Sequence, residues 1–203
     1  MSSLNQLISE IAHSVQQADS VPVRRAIREG IIHARNELIR HSYSNHNYTD
    51  KVLKQKYNVT LVAGNGEGVK QSQNKIPRPV RFTNNLPFHS VRTLDSVKPI
   101  VLCAISEGVR AYYASLPGMK CSPSYDYYDD KLYVYGLAED VTTVCIESVF
   151  EYPNVVATDY VDDNNEFFLP EDLVNAVKKL VLETFNPQVV RDTNEIPTPN
   201  LLK

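Results

Sequence analysis

Gly64-x-Gly66-x-Gly68, with Lys70 close by, is the stretch most like a phosphate cradle. A run of backbone amides can hold phosphate oxygens, but a phosphate loop needs a fixed Gly-Lys-Ser or Gly-Lys-Thr ending and a long helix behind it. Neither is present. His41 and His46 share a segment, yet no Cys or acid stands beside them at ligand spacing, so they do not form a zinc pattern. Asp159, Asp162, Asp163 and Glu166 resemble a cation loop, but the central Gly and the twelfth-position Glu of such a loop do not fit. Cys103, Cys121 and Cys145 contain no Cys-x-x-Cys pair. Cys103 and Cys145 lie in apolar, strand-like runs and are expected in the core. Ser106 lacks the flanking glycines of a nucleophile elbow. These residues predict neither catalysis nor a metal or organic cofactor.

Composition narrows the class further. The chain has 203 residues, with 42% hydrophobic and 22% charged, enough for a real core. Its net charge of -3 does not suit a general nucleic-acid binder. No apolar run is long enough to span a membrane. Residues 1–12 lack the basic start and apolar middle of a signal peptide, so assembly in the cytoplasm is expected. Twelve Tyr, twelve Pro and no Trp favour strands, loops and contact surfaces.

The charge is unevenly distributed. Residues 1–58 carry eight Lys or Arg against five acids, whereas residues 131–203 carry five against thirteen. From Glu139 to Asp172 there are ten acids and no base. A basic front and an acidic back suit head-to-tail stacking of copies, or steering of a charged partner.

The elements follow from periodicity. Leu4, Leu7, Ile8, Ile11, Ala12 and Val15 make one stripe of a helix over 3–17, capped by Ser3 or Ser2, with Gln6 three residues after Ser3 completing a capping box. Ser20 and Pro22 open a second helix that ends near Arg40, with Arg24, Arg25, Arg28 and Arg35 on its polar side. Gly30 inside it offers a close helix crossing. The two helices are expected to form an antiparallel hairpin. Residues 41–48 read as loop, and Thr49 caps a short third helix over 50–57. Strands are expected over 59–63, 79–83, 88–94 and 99–105, with 109–116 ambiguous and residues 64–79 an exposed loop. Asp129-Asp130 suggests a tight hairpin between Tyr-rich runs, and residues 141–150 are dense in β-branched side chains. An acidic loop over 154–166 precedes a helix opened by Pro170, with Glu171 and Asp172 in its first turn. Prolines 187, 197 and 199 then break an extended tail that keeps Ile196, Leu201 and Leu202.

The expected fold is therefore α+β. An N-terminal helical region (1–58) leads into a β-rich region (59–153) holding a small antiparallel sheet or β-sandwich insertion. The acidic loop and C-terminal helix (154–185) and an extended arm (186–203) complete one structural domain.

In order and in motif, the chain resembles the head-to-tail connector proteins of tailed bacteriophages, the adaptor or neck-ring family, and within them those of crAss-like short-tailed phages. The resemblance is carried by Val23-Arg24-Arg25-Ala26-Ile27-Arg28, by Lys131-Leu132-Tyr133-Val134-Tyr135-Gly136, by Phe150-Glu151-Tyr152-Pro153 and by Leu169-Pro170-Glu171-Asp172-Leu173. It implies a non-enzymatic homo-oligomer, a ring of twelve in the virion neck assembled in the host cytoplasm. Such a ring docks on the portal protein and other neck or tail proteins, and double-stranded DNA passes through its lumen without sequence readout. The long middle, from Val59 to Pro123, departs from the shorter adaptors and leaves the neck layer open.

In that setting Arg24, Arg25, Arg28 and Arg35 are expected to meet acids on a neighbour, and Tyr125, Tyr127 and Tyr128 to pack at a subunit contact. The tail at Ile196, Leu201 and Leu202 is expected to dock on the portal or an adjacent ring. Glu139, Asp140, Asp159, Asp162, Asp163 and Glu166 would form an acidic face toward the lumen or the next subunit. The other open reading is a small oligomeric accessory or binding module of phage or host.

Overall fold

A computed structural model describes residues 3–46, 49–64, 66, 68–82, 86–94, 98–105, 109, 112, 123–156 and 163–185. The chain divides into two compact units, one of residues 1–38 with 161–203 and one of residues 39–160. Chain ends far apart in sequence thus share the first unit.

In the first unit, helix α1 runs Leu4–Ser14 and is capped by Ser3, whose hydroxyl accepts from the Gln6 amide. The Gln6 side-chain amide donates one turn on, to Glu10. Helix α2 spans Val21–His46, and its residues up to Leu38 belong here. Pro170 precedes the last helix, Glu171–Phe185 (α4 below). Leu4, Leu7, Ile11, Ile27, Ile31, Phe167, Val177 and Val181 interlock as one core. Burying each such aliphatic side chain contributes about 1.5–3 kcal/mol, more than helix propensity supplies over a turn. Lys178 on α4 pairs with Glu10 on α1 and holds that carboxyl below its usual range.

Among its described residues the second unit contains the end of α2, a short 3-10 turn at Lys51–Leu53, seven strands and helix α3 (Pro153–Val156). α2 continues past its expected end at Arg40, so residues 41–46 of the anticipated loop are helical. Ile39 and Tyr43, four apart, explain this: they pack with Leu53, Val80, Phe82 and Val149, and the Tyr43 and Phe82 rings lie 4.4 Å apart. Tertiary burial overrides a polar local sequence. The expected helix over 50–57 shrinks to the 3-10 turn, capped by Asp50 rather than Thr49, because Gln55 already enters a strand.

The strands are β1 Gln55–Ala63, β2 Val69–Ser72, β3 Ser90–Thr93, β4 Cys103–Ala104, β5 Ser124–Tyr128, β6 Lys131–Tyr135 and β7 Thr143–Ser148. They form one seven-stranded mixed sheet, in the order β3-β7-β1-β2-β6-β5-β4. β1 divides its pairing: its first residues pair with β7 and Leu61–Ala63 with β2. β2 lies within the segment anticipated as an exposed loop. Its Ser72 is buried and its hydroxyl accepts from the Leu132 amide. Residues 79–82 contribute only a bridge between Pro79 and Phe150, not a strand.

The sheet nearly closes on itself. Thr93 and Leu102 amides donate to Ile100 and Val91 carbonyls at 3.0 and 2.8 Å, so the segment before β4 pairs with β3. One step later, Ile105 donates to Tyr125 at 2.9 Å, joining the same segment to β5. Val59, Leu61, Val91, Leu102, Leu132, Val134, Val144 and Ile146 fill the interior. In β6 the alternation is legible: Leu132 and Val134 point in, Lys131 and Tyr133 less so. The β5–β6 turn is the tight hairpin expected of Asp129-Asp130, both at positive φ (51° and 58°) as a two-residue turn of mirror type requires.

Candidate interaction surfaces

Helix spacing puts Arg24, Arg28 and Arg35 on the sides of α2 that meet their own unit. Arg28 forms a two-pronged pair with Asp163, at 3.0 and 3.1 Å. Arg24 donates to Asn5, Ser9 and the Ala18 carbonyl. Arg35 is 0% exposed. Its Nε donates to the Phe168 carbonyl at 2.8 Å and its Nη1 to Asn36 at 2.9 Å, with the guanidinium 6.0 Å from the Phe167 ring centre. Burial lowers its pKa to about 10, so it stays charged at neutral pH. The expectation that it meets a neighbour's acid is corrected: Arg35 ties α2 to the chain that enters α4. Arg25 is exposed.

The tyrosines separate in the same way. Tyr125 is buried beside Phe88, and burial raises its hydroxyl pKa to about 12. Tyr127 packs edge-on against Phe88 at 4.9 Å and donates to Asp130 at 3.4 Å, and its pKa too is raised to about 12, chiefly by burial. Both serve their own core. Tyr128, 46% exposed, lies flat on Tyr133 with ring centres 4.0 Å apart and planes within 2°. A rigid stacked pair on a sheet surface is the kind of aromatic platform that partner proteins bury. Alternation alone separates Tyr128 from Tyr127 and would also have added Tyr133 to the candidates.

Of the acids, Asp163 is used by Arg28, and Glu166 sits in a backbone bridge with Ser3. Glu139 and Asp140 are exposed at a turn. That turn is fixed by Lys70, whose Nζ donates to the carbonyls of Ala138, Glu139 and Val141 at 2.7, 2.9 and 2.7 Å. Lys70 therefore has a structural use unrelated to phosphate. Asp159, Asp162, Ile196, Leu201 and Leu202 lie outside the described residues. Cys145 is buried as expected, whereas Cys103 is exposed, in a two-residue strand at the end of the sheet order whose residues are both exposed. Among the described residues no three His, Cys, Asp or Glu side chains are placed to share a metal ion. No described helix is long and apolar enough to cross a membrane.

Sequence reading missed an apolar face on the second unit. Leu94, Val101 and Val155 are 48%, 63% and 70% exposed. Leu94 follows β3, Val101 bridges to Arg92 and Val155 lies in α3, so three separate segments bring them out.

A family model described as phage tail ring protein 2 matches residues 6–199. No curated protein matches the chain.

Proposed function

Because the chain belongs to the phage tail ring protein 2 family of crAss-like phages, a family of structural virion components, we propose that its ring lies in the neck and connects the portal to the tail. In this reading twelve copies surround the channel, and double-stranded DNA passes without being read. The protein works by shape and contact and catalyses nothing. The match over nearly the whole chain carries the proposal.

The exposed features fit such a role. Arg25 and the Tyr128–Tyr133 platform are available for contact with a neighbouring subunit or ring. The tail residues Ile196, Leu201 and Leu202 are proposed to dock on the portal or an adjacent ring. Arg24 and Arg28 also bond within their own unit.

Particle mass tests the reading. The purified chain is measured by mass photometry over a concentration series, with and without the portal protein of the same phage. A twelve-copy species, alone or with portal, is expected. A chain that remains monomeric or dimeric with every neck protein offered overturns the proposal.

A further inference from the structure

The outer face of β1, β7 and β3 has an unusual make-up. Its register sets Asn58, Cys145, Arg92 and Val101 in one row across the sheet. Two residues along each strand, Lys56 and Leu94 share that face. Val155 and Val156 of α3 close one side, leaving an open groove of about 520 Å³ lined also by Tyr57. Large aliphatic side chains here stand in water, while Lys56 and Arg92 add positive charge. Glu147, opposite Lys56, adds an acid to the same face. An apolar floor rimmed by cations suits a partner that brings acids beside apolar groups.

The same unit carries such a surface at the far end of β1. Between Lys56 and Ala63 the strand covers about 23 Å at 3.3 Å per residue. Near Ala63 stands the turn of Glu139 and Asp140, both exposed and held by Lys70. Val62 is exposed one residue beyond the hydrogen bond from Leu61 to Thr142. Contacts around a ring are heterologous: each copy presents one patch forward and a different one back.

We propose that the Glu139–Asp140 turn of one copy seats in the Lys56–Arg92 groove of the next, with Val62 meeting the apolar side chains around Val155. This rests on the ring reading and names its subunit contact. It assigns these two acids to a neighbouring copy rather than to the channel.

Charge reversal on the full chain tests it. One variant carries Glu139→Lys and Asp140→Lys, a second Lys56→Glu and Arg92→Glu, and a third all four. All positions lie on the protein surface, and an unchanged melting curve checks each fold. Each double variant should assemble at least about tenfold more weakly in mass photometry, and an equimolar mixture of the two, or the fourfold variant, should recover assembly. Assembly unaffected by either reversal overturns the contact while leaving the ring reading intact. Loss without recovery in the mixture or the fourfold variant also overturns it, since the two surfaces then do not face each other. Wild type that forms no ring with or without portal defeats the ring reading itself.

Discussion

Replacing Gly30 by alanine should stabilise the protein, and the structure sets how much. Gly30 lies inside α2, where glycine costs about 0.8–1 kcal/mol against alanine. The sequence suggests that it serves a close helix crossing. A methyl built there would meet Val181 Cγ1 at 3.5 Å and Cγ2 at 3.7 Å, ordinary van der Waals distances. No neighbour has to move, and the methyl gains contact with α4 worth a few tenths of a kcal/mol. The expected gain is about 1–1.5 kcal/mol. For a chain of 203 residues this raises Tm by roughly 3–5 °C. Thermal unfolding followed by circular dichroism at 222 nm, a wavelength chosen for helix, reads the change. Urea unfolding should show a higher midpoint at unchanged slope. A Tm that is lower or unmoved refutes the reasoning, and means that α2 needs glycine there for a bend or an approach closer than 3.5 Å. Leucine at the same position, too long for the space before Val181, should lose stability.

Other substitutions separate roles that look alike in sequence. Arg35→Ala removes a buried side chain and the donor to the Phe168 carbonyl, and should cost about 3 kcal/mol, whereas Arg25→Ala should stay within about 0.5 kcal/mol. Chemical denaturation distinguishes them. Lys70→Met leaves three carbonyls of the 138–141 turn without their ammonium and should cost about 1–2 kcal/mol, with faster amide exchange confined to that turn. Arg78, bonded to Asp130 at 3.1 Å, lowers that carboxyl's pKa mainly through the hydrogen bond. A depressed carboxylate stabilises the fold above its ordinary pKa near 3.8, and that help disappears as pH falls through the lowered value. Arg78→Ala should move the Asp130 midpoint upward in an NMR titration; an unmoved midpoint rules out the pair as its cause.

What could be read in the sequence was what local rules decide. The α1 stripe, the Asp129-Asp130 hairpin, the β6 alternation and the helix opened by Pro170 need only neighbouring residues for their prediction. The misses depend on distant partners. Residues 41–46 are polar apart from Tyr43, which packs with Leu53, Val80, Phe82 and Val149 and draws them into the helix. β2 is polar even at its buried end, where Ser72 accepts from Leu132, and β1 and β6 flank it as strand partners. Among the candidates, Arg35 and Tyr125 have the same residue types as Arg25 and Tyr128, and their opposite fates follow from which face each occupies. The Leu94–Val101–Val155 face draws on three separated segments, so no window of sequence contains it.

The residues around 100–105, shared between β3 and β5, bear on the hazard of crowding identical chains together. An open sheet leaves rows of unused amides and carbonyls, and copies held side by side can zip through them into filaments without end. Here β3 and β5 both spend those groups on one connecting segment. Neighbours brought close in an assembly must then recognise one another by side chains, whose charge and shape stop at a fixed number of copies. Opening that seam, for example with Leu102→Pro, would expose the backbone and trade a counted particle for uncounted aggregate.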